Sequence, residues 1–587
     1  MGVGILSAGI GNVPAAQTYI DIGQGARLAP SLYDEPLPPV TDWAAVRRRA
    51  AGAPADLVPG LLGSTLAEAG ISPQAQRGAG DAAAMVVDES GHVKEVRGCP
   101  RRGCPGVSVV QVDLPELGYL ARALRGHDLL IALERPPPDP NHALAVGIAG
   151  AGFDGTLTSE STRMRGYVVS TDVAPTILER LGMGVPSAMD GDPIHTDGEV
   201  DAEYVQTLAG RLAVIGPRRG PVIGTSLLIW AGLCALSGIA FRVRGLRAGL
   251  ALLAVTLAYV PAVLLATAAL EPSETAERLI VAVGSPLLGA ATLRLVPAFG
   301  SLAIAGAVSV AAYAVDVIAG SHLTELSLIG PNPAEGVRFF GIGNELEAVV
   351  SALVPIATGA ALATWAPTVA PRNAALAFAA TGLAAVAAFA PGHFGADVGA
   401  AIGIPIGAAV AIAICLRATT PENRRAWWIA AVVAAPIVAV AALIGADLVS
   451  GGNAHLTRSV LHAGGLDNLG DVVERRVRLS AHSFGRYAGT PLLWLAAAGI
   501  AAGIVGRHRL RAWFGERRFA WGGFLGAVAA TAAGTLVNDS GALLLIIGTL
   551  LCGAAAAVAW VTHAPGMCRN ARTTAFSSGN LGRGSVS

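Results

Sequence analysis

Hydrophobic and polar residues follow two different patterns in the two parts of this chain. Up to about residue 216, apolar runs are short, and Asp, Glu, Arg and Pro are frequent. Beyond Pro221 the sequence becomes a series of Ala-, Leu-, Val-, Ile- and Gly-rich runs, mostly about 20 residues long, enough to cross a hydrocarbon core of about 30 Å. The pattern predicts a water-soluble domain at 1–215, a polytopic membrane domain at 216–562 and a disordered cytoplasmic tail at 563–587.

About eleven membrane-spanning helices are predicted in the second part. Their expected positions are 221–241, 248–270, 279–293, 299–319, 343–365, 374–390, 396–416, 427–449, 491–506, 519–537 and 541–561. The third, sixth and ninth runs are short, which favours tilted or broken helices. The predicted fold class is therefore an α/β domain followed by an all-α polytopic membrane domain.

The distribution of arginine between the loops determines the predicted membrane orientation, because basic residues are enriched in cytoplasmic loops. One set of loops is rich in Arg and includes the dense run from Arg507 to Arg518, whereas the short loops of the opposite set contain Arg278 and Arg338. This difference puts the soluble domain outside the plasma (inner) membrane and the C-terminus in the cytoplasm. An exported domain needs a signal sequence or an anchor, and the first ten residues do not resemble one. Either the first span exports the domain, or the chain starts too late; the second explanation is favoured.

Alternating strand and helix signals set the class of the soluble domain. Short apolar runs at 128–132 and 143–148 suit buried strands, and the stretch 172–186 begins with Asp172 as a helix N-cap and ends at glycines. This alternation predicts a layered α/β domain.

Composition narrows the functional classes further. Hydrophobic residues make up 53% of the chain, charged residues 14%, and the formal net charge is zero, so no bulk attraction to nucleic acid is expected. Lys94 is the only lysine, and this Arg bias suggests a GC-rich, actinobacterial genome. Cys99 and Cys104 form either a small disulfide loop or two free thiols, both favoured over a zinc knuckle.

Two stretches of the soluble domain resemble the alkaline phosphatase superfamily, which includes sulfatases and phosphodiesterases. Residues 171–194, with Thr-Asp-Val-Ala-Pro-Thr-Ile-Leu and Met-Asp-Gly-Asp-Pro-Ile, look like its C-terminal signature. Residues 12–23 look like its nucleophile helix. The resemblance covers the soluble domain alone, and it implies an α/β fold built around a two-metal site for phosphoryl transfer.

The chain departs from that family at the residues that carry its chemistry. Asn12 stands at the nucleophile position, and an amide cannot form a phospho-enzyme. The stretch 134–142 replaces the expected Asp-His pair, and the first strand is expected to precede Met1. The resemblance therefore implies an incomplete, inactive phosphatase-like domain, a pseudoenzyme. A minor alternative has Thr18 as nucleophile. Its metal ligands would be Glu134, Asp139 and His142.

A polar run at 155–163 gives the soluble domain candidate substrate-binding residues. Ser161 and Arg163 belong to it, and hydroxyls beside an arginine suit a phosphate or a sugar. The alternative, which is favoured, is a solvated loop whose hydroxyls form turns.

Four polar clusters are predicted at the outer edge of the membrane domain, where polar residues are costly and mark function. They are residues 331–347, 392–399, the loop after the eighth span, and 538–541. The candidate catalytic residues are Glu345, His393, Asp397 and Asp539. The candidate substrate-binding residues are Arg338, Asn344, His455, Arg458, Arg475, Arg486 and Asn538.

Helix capping is the simpler explanation for several of these residues, since Asn and Asp are preferred at helix N-termini. Capping does not explain Glu345 and Glu347 just inside a span, or His393 beside Asp397. Carboxylates with histidines bind a divalent metal or act as acid and base, and arginines clamp phosphate. If the clusters converge, they form one site for an anionic lipid-linked head group.

These features favour a cell-envelope membrane protein that binds or transfers a lipid-linked phosphate or glycan at the outer leaflet. The bilayer is then its partner, and a divalent metal is a possible cofactor. The Gly-Ile-Gly-Asn-Glu and Asn-Asp-Ser-Gly motifs resemble those of uncharacterised bacterial membrane proteins, which implies architecture but no reaction. The alternatives are a transporter or flippase and a non-catalytic envelope assembly factor. No GxxxxGK[ST] loop occurs, which argues against ATP-driven work.

Overall fold

The chain forms two compact units. The computed structural model describes residues 1–97, 106–137, 143–417, 426–449 and 480–563. The first unit combines Met1–Pro221 with Asp316–Gly343, and the second combines Val222–Val315 with the chain from Asn344 onward. The segment 316–343, which separates two predicted spans, is thus part of the unit that contains the α/β region.

A mixed six-stranded sheet is the centre of the first unit. The strands in the described part of this unit are β1 (Gly2–Ser7), β2 (Gln74–Gln76), β3 (Lys94–Val96), β4 (Ser108–Val109), β5 (Leu130–Leu133), β6 (Leu144–Ala149), β7 (Thr156–Thr158), β8 (Tyr167–Val169) and β9 (His195–Asp197). The larger sheet has the order β5-β6-β1-β7-β9, with β8 also paired to β1. Strand β1 is antiparallel to β6 and parallel to β7 and β8. The remaining strands form a small sheet of order β3-β2-β4.

Strand β1 corrects the expectation that the first strand of the domain lies before Met1. Its sequence, Gly-Val-Gly-Ile-Leu-Ser, is short and contains two glycines, so its strand signal is weak. Burial explains why it forms all the same, since Ile5 and Leu6 are in the core of the unit. The strands predicted at 128–132 and 143–148 correspond to β5 and β6.

Helices accompany these sheets in the described part of the first unit. They are α1 (Ala15–Gln24), α2 (Trp43–Ala51), α3 (Leu61–Glu68), α4 (Leu114–Ala123) and α5 (Val173–Arg180). Helix α1 ends at Gly25, which adopts a left-handed conformation with φ 65°. The helix predicted from Asp172 is α5, but the Asp172 side chain makes no N-cap bond to it.

Helices build the second unit, and most of them are long and apolar. They are α6 (Ala202–Leu270, which begins in the first unit), α7 (Glu274–Leu295), α8 (Ala298–Ile318), α9 (Asn344–Trp365), α10 (Pro371–Phe389), α11 (Val398–Leu416), α12 (Ala426–Val449), α13 (Ser480–Tyr487), α14 (Pro491–Val505), α15 (Arg507–Phe514), α16 (Arg518–Val537) and α17 (Gly541–His563). Helix α6 contains two predicted spans on either side of Arg242, whose φ of 52° and ψ of −139° are not helical.

The lengths and composition of these helices are compatible with a multi-pass membrane protein. Within the described ranges, nine helices are long and apolar enough to cross a bilayer, or up to ten if the bent pair α13–α14 is one span. Several bounds follow the predicted spans closely, as Asn344–Trp365 does for 343–365, whereas α6 begins at Ala202, well before the predicted span 221–241. The total of about eleven crossings stays a prediction.

Glycines let α9, α11 and α16 pack with their backbones in contact. A Cβ atom added at Gly523 of α16 would lie 2.2 Å from the carbonyl oxygen of Pro355 on α9. One added at Gly526 would lie 2.5 Å from the carbonyl oxygen of Gly407 on α11. Small residues at such crossings are how apolar helices approach closely without a hydrophobic driving force. These three helices therefore form the tightly packed centre of the second unit.

Two alanine substitutions are expected to change stability in opposite directions. Gly523→Ala forces a methyl group into backbone and should destabilise the protein by about 1–3 kcal/mol. Gly553→Ala, on α17, meets no atom within 4 Å and should be neutral or stabilising by up to about 1 kcal/mol, as Ala favours helix. Thermal unfolding in one detergent measures both. Equal melting temperatures for the two variants would contradict the packing described.

Candidate functional site

A hydrogen-bonded polar network joins the start of α9 to the turn between α16 and α17. Asn344 donates through Nδ2 to Oδ1 of Asp539 (3.1 Å) and to Oγ of Ser540 (2.9 Å). Asn538 donates through Nδ2 to Oδ1 of Asn344 (3.1 Å) and to Oε2 of Glu347 (2.6 Å). These five residues are called the polar network below. It ties together two segments that lie almost two hundred residues apart in sequence.

Helix α11 begins beside the carboxylate of Glu347. Asp397 caps it by accepting a hydrogen bond from the backbone N–H of Ala400 (2.6 Å). Gly399, in its first turn, lies so close to Glu347 that an added Cβ atom would be 2.3 Å from Oε1. Asp397 precedes Gly399 by two residues, so its Cα atom lies within about 7 Å of that of Gly399. The N-terminal ends of α9, α11 and α17 thus meet around Glu347.

Helix α13 closes this end of the unit from another side. Ser480 donates to the carbonyl oxygen of Thr535 (2.6 Å), and Ser483 accepts a hydrogen bond from the backbone N–H of Ala542 (3.0 Å). Two serines one turn apart on α13 therefore hold the end of α16 and the start of α17. Neither serine was singled out from the sequence, because neither belongs to a recognisable motif.

Glu347 is the most deeply buried acidic residue of the polar network, with 1% of its surface exposed. A buried carboxylate is costly unless hydrogen bonds and positive charge compensate it. Asn538 supplies a hydrogen bond, and the N-terminal ends of three helices carry partial positive charge. The arrangement can hold a carboxylate in place, accept a proton, and present backbone N–H groups to an anion.

One helical turn beyond Glu347, Ser351 extends the polar surface into α9. Its side chain is 5% exposed, and its Oγ makes no hydrogen bond within the described part of the chain. A Cβ atom added at Gly403 of α11 would lie 3.2 Å from that Oγ. Polar groups therefore continue inward along the contact between α9 and α11.

The structure brings together only some of the predicted catalytic residues. Asp539 belongs to the polar network, and Asp397 caps the adjoining helix. His393 is exposed in the turn that leads to α11, and Glu345 is partly exposed in the first turn of α9. The central carboxylate is Glu347, which the sequence flagged but did not rank first. The signal that identifies it is its spacing of three residues from Asn344, which places both on one face of a helix.

The predicted binding residues divide between the two units. Asn344 and Asn538 are in the polar network, whereas Arg486 is exposed on α13. Arg338 belongs to the first unit, where it donates to the carbonyl oxygen of Ile342 (2.5 Å). The predicted residues that lie outside the described ranges are His455, Arg458, Arg475, Cys99, Cys104, Asp139 and His142.

In the first unit, Ser161 is part of a hydrogen-bond system around Asp172. Asp172 is fully buried and accepts hydrogen bonds from Ser161 (2.6 Å) and Ser159 (2.7 Å), and from the backbone N–H groups of Val169 (3.0 Å) and Asp192 (3.1 Å). Burial raises the pKa of Asp172 to about 6, against these four bonds that lower it. This arrangement favours a structural role for Ser161.

Arg163 is fixed by its neighbours in the same unit. Its guanidinium lies over the ring of Phe340 at 4.4 Å from the centroid, and its Nε is 3.5 Å from a carboxylate oxygen of Glu160. These two contacts hold the Arg163 side chain without a ligand.

The residues of the phosphatase resemblance occupy ordinary structural positions. Asn12 is exposed just before α1, whereas Thr18 is buried within that helix with 1% of its surface exposed. Glu134 accepts a hydrogen bond from the backbone N–H of Ala145 (2.8 Å). Burial of Thr18 argues against a nucleophile at that position.

Asp21 is a second buried carboxylate of the first unit. It is fully buried on α1, and its Oδ1 accepts hydrogen bonds from the side-chain amides of Gln17 (2.7 Å) and Gln24 (3.1 Å). Burial raises the pKa of Asp21 to about 8, although Arg27 and Arg49 act in the opposite direction. The protonated acid is therefore the form that the folded unit prefers at neutral pH.

Neither metal geometry nor relatives identify the site. Among the described residues, no group of three or more His, Cys, Asp and Glu side chains is arranged to hold a metal ion. Comparison with known protein families, with curated proteins and with solved structures gives no match. The chemistry of the site therefore has to be argued from its own residues.

Asp21 is expected to make the first unit less stable as the pH rises. Its pKa is higher in the folded state than in the unfolded chain, so its stabilising contribution is complete below about pH 4 and is lost towards pH 8. Asp21→Asn mimics the protonated acid and should stabilise the unit at pH 8 by about 1–3 kcal/mol, with little gain at pH 4. Hydrogen exchange of α1 peptides in the full-length protein measures the effect.

The exposed Asp56 provides the matched control for this experiment. Asp56→Asn should leave the pH dependence of exchange in α1 unchanged. An Asp21→Asn protein with the same pH dependence as wild type would show that Asp21 does not carry the effect.

Proposed function

We propose that this protein is a bacterial cell-envelope membrane protein that handles an anionic lipid-linked phosphate or glycan. In this proposal the polar network of the second unit is the binding site, and it lies at the outer face of the plasma membrane. The α/β region of the first unit would be a phosphatase-like domain without catalytic activity. It would bind or position the substrate.

Exposed apolar side chains support the membrane part of this proposal. On α12, Trp427 is 74% exposed and Ile429 is 71% exposed, and on α14 Leu495 is 65% exposed. Soluble proteins rarely leave such contiguous apolar faces in water, whereas lipid chains cover them. These helices are therefore suited to a bilayer, with their apolar faces towards lipid.

The observation that carries the proposal is the meeting of three helix N-termini around the buried Glu347. Helix N-termini attract phosphate and carboxylate groups through unpaired N–H groups and the helix dipole. Asn344 and Ser540, which are partly exposed, would face the head group. Glu347 lies behind them, where it orients Asn538 and can accept a proton. A lipid-linked phosphate would reach such a site from the membrane without leaving the bilayer.

The network also explains why the anion would be held at the edge and not within the bundle. Glu347 is an acidic group, so it repels an anion that approaches too closely. The partly exposed amide of Asn344 and hydroxyl of Ser540 in front of it would supply the hydrogen bonds. A phosphate at the rim would therefore interact with the helix ends while the carboxylate stays behind as a proton acceptor.

Transport is the second candidate function, and Ser351 is the observation that favours it. Glu347 and Ser351 place polar atoms along two successive turns of α9, inside a tightly packed helix centre. Ionisable residues within spans commonly mark ion or proton pathways. A proton-coupled flippase would use this polar surface, whereas a transferase would use only its outer end.

Binding of a polyprenyl phosphate to the full chain in nanodiscs tests the proposal, with the uncharged polyprenol as comparison. Native mass spectrometry should show preference for the phosphate. Glu347→Ala and Asn538→Ala should each reduce that preference by about tenfold, since each removes one side chain of the buried hydrogen bond that holds the helix ends together. Glu274→Gln, in a surface ion pair with Arg278, serves as the control. Equal binding of both lipids, or full preference in both network variants, would contradict the proposal.

A further inference from the structure

A basic segment connects α14 to α16 and has no part in the site described above. Residues 507–518 contain five arginines, one histidine and one glutamate, which gives a formal net charge of +4 with His neutral. Most of the segment is the short helix α15. Its single acidic residue is Glu516, which is exposed. A net positive charge concentrated in one short segment attracts anions.

Aromatic residues anchor this segment to the helix ends beside it. The side chain of Phe514 is fully buried, with ring centroids 6.4 Å from Phe299, 5.3 Å from Trp521 and 5.2 Å from Phe524. These rings belong to α8 and α16, so α15 is held against two other helices of its unit. The basic surface is therefore a fixed feature of the fold, not a loose loop.

The same rings fix the direction of two arginines. The guanidinium of Arg511 lies 5.3 Å from the centroid of Trp521, and that of Arg517 lies 5.4 Å from the centroid of Phe299. Cation–π contacts of this kind restrain a guanidinium without using its N–H donors. Arg511 donates through one terminal nitrogen to the carbonyl oxygen of Gly515 (2.9 Å), and its other N–H groups remain for an anion.

Two further arginines project from α15 without such contacts. Arg507 and Arg509 are exposed, and neither forms an ion pair within the described ranges. Arg507 and Arg511 are four residues apart on one helix, a spacing at which like charges repel each other. An anion bound between them would remove that repulsion.

The chain immediately before this segment is strongly apolar. Ile504 and Val505, the last two residues of α14, are 60% and 86% exposed. Exposed aliphatic side chains therefore adjoin exposed arginines over two or three residues. That pairing is typical of the boundary between lipid chains and head groups, since neither water nor hydrocarbon suits both.

We propose that the basic segment 507–518 binds the head groups of anionic phospholipids. Arg507, Arg509 and Arg511 would contact the phosphodiesters, while Ile504 and Val505 would lie among the acyl chains. Each arginine near an anionic membrane surface strengthens binding by about fivefold. A soluble acidic ligand would leave the exposed aliphatic residues in water, so the lipid is the better match. This surface is separate from the polar network and takes a structural lipid in place of a substrate.

Energy transfer from the protein's tryptophans to dansyl-labelled lipid tests the assignment. The full chain is reconstituted in phosphatidylcholine vesicles that contain labelled phosphatidylglycerol or labelled phosphatidylcholine. Wild type should prefer phosphatidylglycerol, and Arg507→Gln/Arg509→Gln should lower that preference by about fivefold or more, because two charges are lost. Arg47→Gln/Arg48→Gln, two adjacent exposed arginines on α2, should leave it unchanged. Raised salt should weaken the wild-type preference through screening.

Three outcomes would overturn the proposal. They are the absence of any preference in wild type, equal preference in wild type and Arg507→Gln/Arg509→Gln, and an equal loss in the Arg47→Gln/Arg48→Gln control. Full displacement of the lipid by inorganic phosphate at matched ionic strength would identify a soluble-anion site and overturn it as well. Unchanged melting of the double variant in an uncharged detergent shows that its fold is intact. A failure here leaves the polyprenyl phosphate experiment unaffected, since the two surfaces share no residue.

Discussion

Backbone contact between α9, α11 and α16 is the constraint on which the second unit depends. In a bilayer, hydrophobicity does not determine which apolar helices pack together. Complementary shape determines it instead. Gly523 and Gly526 remove the side chains that would keep α16 away from its two neighbours. Gly399 does the same for α11 at the level of Glu347. Close packing therefore brings the three helices near enough for one carboxylate to be surrounded by their ends and by Asn538.

The first unit depends on buried polar groups as much as on its sheet. Asp172 gathers four hydrogen-bond donors from three separate segments, which fixes the loop at 159–161 against the start of α5. Tyr167 of β8 donates to the carbonyl oxygen of Pro333 (3.2 Å) and packs edge-on against Phe339. The segment 316–343 is thereby joined to the sheet, although the sequence places it between two hydrophobic helices.

Local sequence patterns predicted many of the secondary-structure elements, but not which side chains contact each other. The apolar runs located helices such as Val398–Leu416 to within a few residues, because hydrophobic length is a local property. The hydrogen bond between Asn538 and Glu347 is a long-range consequence of helix packing, so a local sequence pattern cannot predict it. For the same reason, the sequence favoured Glu345 as the catalytic carboxylate, yet of these two glutamates it is Glu347 that is deeply buried. Strand β1 was missed because burial, and not composition, makes it a strand. Membrane orientation and the phosphatase resemblance stay predictions.

Through their hydrogen bond, Glu347 and Asn538 together stabilise the place where the helix ends meet. A double-mutant cycle with Glu347→Ala and Asn538→Ala, followed by unfolding in detergent, tests it most directly. The hydrogen bond between the two side chains predicts a coupling free energy of about 1–3 kcal/mol, so that the double variant loses less stability than the two single variants together. Additive losses would show that the two residues do not interact, and would contradict the account of the site.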